Sequence, residues 1–449
     1  MRPVAVAIPT RNRPDLLKRA IEAVCDDVHH ADRRVEILVV DQSIGDCALA
    51  NRRFLARLTL EREVRVSYLG WEQRRALTGA MPTGNFLDFS SCVPSTMLGS
   101  AYGENRNWIS LYHAGDAYVS IDDDVIAKPF RSKRRPGFDV PEENFGFPWS
   151  FLSYRSREDM FADMDEQDGS LLLKLFEGTT AFEGNSGPGY VACGVAGHSG
   201  LWSHALLTDV DCPLSRLELL CSDASFQEAM DSTSVVRQAL ACRRSDAGAF
   251  MTTIFASSNH LAGIPFLPAG RGEDYMMGWM SYKLGYCPEV INLPLSALHF
   301  PEGDRSSCAT IDVASFSSLV AASVTAIGAS RTSDLCDGML DVASGAHWDD
   351  FIRHALVTHA LAQQAYCERL GEAPDLARMP FRSIVARASA WQRLADALSS
   401  GRIDQELGER LTSVRQLMIG FSRLMANWQQ TWAWSQANRA AFETVCRIS

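Results

Sequence analysis

Short apolar runs alternate with helical patterns through the first 130 residues. Val4-Ala5-Val6-Ala7-Ile8 is a continuous buried-strand run, and Pro14 to Val24 places Leu16, Leu17, Ala20, Ile21 and Val24 on one helical face. Val35 to Val40 follows as a second strand, closed by Asp41. Strand, helix and strand within so short a stretch predict a βαβ unit of a parallel sheet, whose strand carboxyl ends gather ligands. Further strands are expected at 65–69 and 117–121, the latter running directly into Asp122-Asp123-Asp124. The stretch 131–200 has no steady period and is expected to form loops. A short strand near Pro265, a helix over 275–284 and a last strand over 290–298, broken by Pro294 and ending at His299, complete the α/β part.

Beyond residue 310 the pattern becomes helical. Trp348, Phe351, Ile352, Ala355, Leu356 and His359 share one face, as do Phe421, Leu424, Met425, Trp428, Trp432 and Phe442. The expected organisation is an α/β domain over 1–305, enlarged at 131–260 on an acceptor side, followed by an α-helical domain over 310–449. The segment 313–330 carries no charge but is rich in Ser and Thr, which suits a buried helix of a soluble protein better than a membrane span.

Composition narrows the classes. With 46% hydrophobic and 22% charged residues, the chain matches ordinary globular proteins. A net charge of −11 argues against nucleic acid as a bulk partner while leaving a small phosphorylated ligand open. Twelve cysteines are scattered without any CxxC pair, a pattern of reduced thiols, and the N-terminal apolar run stops at Pro9, so a cytoplasmic location is expected.

Three adjacent carboxylates after an apolar strand are the sharpest chemical signal. They repel one another unless a cation neutralises them, and hard oxygen ligands suit Mn²⁺ or Mg²⁺ bridging to substrate phosphates. Glu273-Asp274, after Arg271 and before an amphipathic segment, offers a general base. Thr10, Arg11 and Arg13 after the first strand, with Asp41 after the second, are placed to line one crevice, arginine facing a diphosphate. The basic run 131–135 reads as a solvated loop, and Trp428 and Trp432 as core.

Taken in order, Val6 to Arg13, Ile37 to Asp41, Asn105-Arg106-Asn107, Ser120 to Asp124 and Gly272 to Tyr275 resemble family 2 glycosyltransferases of the GT-A fold over about two-thirds of the chain. The resemblance implies a Rossmann-like domain with a mostly parallel central sheet and metal-dependent, inverting transfer from a nucleoside-diphosphate sugar, UDP-sugars being the family's commonest donors. It implies that Pro9, Thr10, Arg11 and Arg13 touch the nucleotide and that Asp41 reads the base. Arg106, Asp122 and Asp123 would line the nucleotide-sugar pocket, and Asp124, helped by Asp122 and His299, would hold Mn²⁺ or Mg²⁺. Asp274 would be the base, supported by Glu273. The sequence departs from the family in Asn105 and Trp108, which flank the Arg-Asn pair, and in a long interval between Asp124 and Glu273. Its stretches 184–189 and 194–200 are glycine-rich, which suits close backbone approach to a sugar or phosphate and ordinary turns alike, and the second, around 194–202 with His198, is a candidate donor-sugar loop. The acceptor is open, a small molecule, peptide or glycan, and homodimerisation through the helical region is open as well. Two rival readings stand: a nucleotidyltransferase, which would ordinarily show a glycine- and lysine-bearing loop after the first strand, and a catalytically silent sugar-binding or scaffold protein.

Overall fold

The computed structural model describes residues 2–448 apart from 30, 63, 82–101, 134–148, 155, 184–188, 198–233, 240, 246–251, 270–272, 274–276, 278–280, 282–288, 301–318, 321–322, 324–347, 349, 359–360 and 362–381. Asp274, Arg271, His198, the glycines between 184 and 188, and Arg134 and Arg135 therefore lie outside the described residues.

The first strand, β1 (Val4–Thr10), is central and buried on both faces, as its unbroken run of Val, Ala and Ile requires. It pairs in parallel with β2 (Val35–Asp41) and with β4 (Tyr118–Ile121), and β2 pairs in parallel with β3 (Arg65–Leu69). Pro9 lies beyond the last β1–β4 residue pair, where a missing N–H is tolerated. Helix α1 (Pro14–His29) begins with proline at its first position, and packs Leu16, Leu17, Ala20, Ile21, Val24 and Val28 inward. Helices α2 (Gly45–Arg62) and α3 (Trp71–Ala80) make the next crossovers, and α4 (Tyr102–Tyr112) leads into β4.

The sheet continues from β4 to β11 (Ile254–Ser257), then β8 (Gly189–Gly197), β12 (Glu289–His299), β5 (Val125–Ser132) and β7 (Met164–Glu166), with β9 (Val235–Ala239) paired to β8 and β10 (Arg243–Ser245) to β12. β11 is antiparallel to both neighbours, while β8 and β12 pair in parallel, so six of the seven strands from β3 to β12 share one direction. The fold is thus the expected mixed α/β architecture with a mostly parallel sheet, followed by helices.

Four local expectations are corrected. The stretch 131–200 is not a run of loops: it holds the end of β5, β6 (Trp149–Ser153), α5 (Arg157–Asp163), β7, α6 (Leu171–Gly178) and β8. These elements are too short to show a period. The basic run likewise begins in a strand, since Arg131 pairs with Asp165 across the β5–β7 ladder and Lys133 Nζ lies 3.1 Å from Asp165 Oδ1. No strand forms at 262–268, and Pro294 does not break β12, which accommodates it within an irregularity of register between Asn292 and Ser296.

The helix Gln405–Ala437 starts on Asp404, whose carboxylate accepts from Leu407 N at 2.8 Å, and Asn438 separates it from the helix Arg439–Cys446. Phe421, Leu424, Trp428, Trp432 and Phe442 share one buried apolar cluster with Trp108, Ile109 and Tyr112 of α4. Trp428 and Trp432 are core residues, as expected. Ion pairs of Arg439 with Asp116 and of Glu443 with Arg65 tie the last helix to the sheet side. Leu319, Val320 and Ser323, the described part of the uncharged segment, are helical and fully buried. No helix among the described residues is long and apolar enough to cross a membrane.

Candidate functional site

The acid cluster lies in a tight turn between β4 and β5. Asp122 N donates to Thr253 O (2.9 Å) and its carbonyl accepts from Val125 N (3.2 Å), which reverses the chain at the carboxyl ends of β1 and β4. Asp123 faces the loop after β1. Its carboxylate accepts from Thr10 Oγ1 at 2.7 Å and from Arg13 Nη1 at 3.1 Å, and Arg13 also reaches Asp124 Oδ2 at 3.4 Å. On its other side Asp124 Oδ1 lies 3.2 Å from His299 Nε2 at the end of β12. Asp122 turns the opposite way, accepting from Arg106 Nη2 at 2.9 Å.

Asp123 and Asp124 are buried. Loss of hydration pushes the Asp123 carboxyl up to about 7, with the Asp124 charge adding to the shift and Arg13 and Thr10 opposing it. Asp122 is pushed up to about 6, by burial first, against the pull of Arg106 and with the charge of Asp124 adding. Such a set is short of positive charge. Among the described residues no group of three or more His, Cys, Asp or Glu is gathered as a ready-made metal cage. Asp124 and His299 nevertheless meet at a strand end beside two further carboxylates. One carboxylate and one imidazole fit a divalent cation that takes its other oxygens from water and a diphosphate.

Arg106 is the hub on the other side. Its Nη1 donates to Ser120 Oγ (3.2 Å), its Nε lies 3.9 Å from Glu273 Oε1, and its guanidinium covers the Phe255 ring at 5.8 Å. It therefore connects Asp122 with Glu273, the neighbour of Asp274. The next residue of α4 secures the same approach: Asn107 Nδ2 donates to Phe266 O (2.8 Å) and its Oδ1 accepts from Phe266 N (2.7 Å). At Gly103 a Cβ would stand 1.9 Å from Leu267 O, so only glycine permits this close packing of α4 on the segment that leads to Glu273.

Asp41, expected to read a base, stands at the end of β2 among protein donors. It is fully buried, and its carboxylate accepts from Ser43 N (2.6 Å), Asn51 Nδ2 (2.9 Å) and Tyr68 Oη (2.9 Å), so these oxygens shape the loop after β2. Ser43 in turn accepts from Asn12 N at 2.7 Å, and Asn12 Oδ1 accepts from Ile44 N at 3.1 Å. Asn12, at φ 54, takes the left-handed conformation that asparagine tolerates, and so turns the 10–13 loop back over the strand ends. Pro9 and Arg11 flank Thr10 in this turn, half-buried. Ser43, Asn51 and Tyr68 were not singled out from the sequence, although a tyrosine in a short strand beside a buried one is a signal that its hydroxyl has a partner.

The fold and cluster define an α/β protein with a carboxylate-rich cluster at the strand carboxyl ends, where such sheets bind ligands. No protein-family model and no curated protein matches the chain. Among solved structures, it is similar to glucosyl-3-phosphoglycerate synthase of Mycobacterium tuberculosis, in a complex with Mn²⁺, UDP and phosphoglyceric acid, at 13% identity, 73% coverage of this chain, 79% of that one and a TM-score of 0.35. It is also similar to a mannosyltransferase of Pyrobaculum calidifontis, in a complex with GDP-mannose and Mn²⁺, at 12% identity, 95% and 88% coverage and a TM-score of 0.33. Likeness at this level assigns no activity, so the functional reading rests on the site.

Proposed function

We propose that the chain is a metal-dependent glycosyltransferase that moves a sugar from a nucleoside-diphosphate sugar, a UDP-sugar in the reading we favour, to a hydroxyl, amine or thiol acceptor with inversion. The observation that carries the reading is the joining of Asp122, Asp123 and Asp124 to Thr10 and Arg13 on one side and to Arg106 and Glu273 on the other, with His299 against Asp124. Thr10, Asp122 and His299 stand at or next to strand ends with Asp123 and Asp124 in the same turn, and Arg13, Arg106 and Glu273 reach this group from a loop and two helical segments, so nucleotide, diphosphate and sugar have one continuous lining.

In this reading Asp124 and His299, beside Asp122, would hold Mn²⁺ or Mg²⁺, which would supply positive charge to neutralise the leaving diphosphate. Arg13, 28% exposed and bound to Asp123 and Asp124, is placed to follow the diphosphate as it gains charge. Pro9, Thr10 and Arg11 support the nucleotide, and Asp41 acts behind them through Ser43 and Asn12. Arg106 keeps Asp122 and Glu273 in register for the sugar. Asp274 takes the proton of the acceptor group as that atom bonds to the anomeric carbon. The bond from this carbon to the diphosphate oxygen breaks on the opposite face, releasing the nucleoside diphosphate.

A panel of nucleotide-sugars incubated with Mn²⁺ or Mg²⁺ tests the reading. Metal-dependent release of nucleoside diphosphate from one donor, abolished in Asp124→Ala, is expected. Neither release nor metal-dependent binding of any donor by calorimetry would return the chain to the sugar-binding or scaffold class. Asp274→Asn is expected to bind donor normally and to lose transfer, and a fully active variant would remove Asp274 from its role as base.

A further inference from the structure

His299 is the last residue of β12, and the residue after it is held from three directions. Phe300 N donates to Asp124 O at 2.9 Å, so the backbone next to the histidine is pinned to the backbone of the aspartate it faces. Phe300 O accepts from Arg19 Nη2 of α1 at 2.7 Å. The Phe300 ring lies 5.2 Å from the Arg157 guanidinium and 6.0 Å from the Phe161 ring, both on α5. Gly197 lies opposite His299 in the β8–β12 ladder at φ 116, and a Cβ there would come within 2.3 Å of the His299 carbonyl oxygen. Strand ends ordinarily fray. Here the end of β12 is fastened through Phe300, Asp124 holding its N–H and Arg19 its carbonyl.

We propose that Arg19 is a positioning residue for the divalent cation: by holding the Phe300 carbonyl it keeps the His299 imidazole against Asp124. The proposal rests on the reading of Asp124 and His299 as metal ligands. Partners that orient a metal ligand without touching the metal commonly change affinity by about 10- to 100-fold when removed. Arg19 matches that description, since α1 carries it to the Phe300 carbonyl and not to the acid cluster.

The test is Mn²⁺ binding with UDP present, read by electron paramagnetic resonance, in the wild type, Arg19→Gln, Arg19→Lys and Lys18→Gln. Lys18 is the matched control. It is the adjacent cation on α1, exposed and 3.9 Å from Glu22, so its loss removes the same charge without touching Phe300. Arg19→Gln is expected to bind Mn²⁺ about tenfold or more weakly and, at saturating metal, to lose the nitrogen coupling that an imidazole ligand imposes on the Mn²⁺ spectrum. Arg19→Lys should recover part of both, and Lys18→Gln should match the wild type. Equal affinity and equal nitrogen coupling in Arg19→Gln and wild type would overturn the positioning role alone. A wild-type protein that binds Mn²⁺ without nitrogen coupling, or not at all, would overturn the ligand assignment of His299 and this proposal with it. Unfolding midpoints of all four proteins identify a variant that has lost its fold, in which case Arg19→Lys, which keeps the charge but not the guanidinium that reaches the Phe300 carbonyl, is read against the wild type in the same way.

Discussion

Replacing Asp123 by Asn should make the protein more stable in the absence of metal, and increasingly so as the pH rises. Asp123 is 4% exposed, and its pKa is raised from about 4 in an unfolded chain to about 7, by burial first and by the Asp124 charge next. Between those two values the unfolded chain has released the proton while the folded chain still holds it, so wild-type stability falls as pH rises. The fall is about 1.4 kcal/mol per pH unit and stops once the folded carboxyl ionises. Asparagine has nothing to titrate. From pH 5 to pH 8 only the two units below the folded pKa of about 7 count, so the advantage of Asp123→Asn should grow by about 3 kcal/mol. Urea unfolding in EDTA at pH 5, 6, 7 and 8, with the variant subtracted from the wild type at each pH, cancels the titrating groups that do not interact with Asp123. The variant should meanwhile bind nucleotide-sugar with Mn²⁺ more weakly, since the ionised carboxylate that costs stability is the one that orients Thr10 and Arg13. A stability difference that stays flat with pH, or one that shifts toward the wild type as the pH rises, would refute the view that Asp123 is a buried, charge-crowded carboxyl.

Gly197→Ala should cost about 2–3 kcal/mol in urea unfolding, because φ 116 strains an L residue and the new methyl meets the His299 carbonyl at 2.3 Å; Mn²⁺ affinity should fall in parallel. Arg74→Met should cost about 3–5 kcal/mol by the same measurement, since it leaves Glu104, 1% exposed, without the guanidinium that donates to it at 2.8 Å. Asp27→Ala should lower stability by about 2–4 kcal/mol, because its buried carboxylate accepts from Ser170 Oγ, Leu171 N and Leu172 N at the start of α6; urea unfolding checks it, with transfer activity measured beside it.

Periodicity along the chain was enough to place β1, α1, β2 and β4, because a parallel strand buried on both faces must be an uninterrupted apolar run and a helix beside it must show one apolar stripe. It also marked Asp122 to Asp124 and His299, which stand where apolar runs end. It failed over 131–200, where β6, β7, α5 and α6 are each eight residues or shorter, and at Pro294, where an irregular register accommodates a residue that pattern reading takes for a breaker. Local residue order determined which side chains could do chemistry. Partnership was decided only by the tertiary fold. Arg106 meets Glu273, Thr10 meets Asp123, and Arg19 meets Phe300 across more than a hundred residues of chain, because sheet order brings distant strand ends together. The same folding turned Asp41 inward onto Ser43, Asn51 and Tyr68, since a buried carboxylate must find donors wherever packing places them.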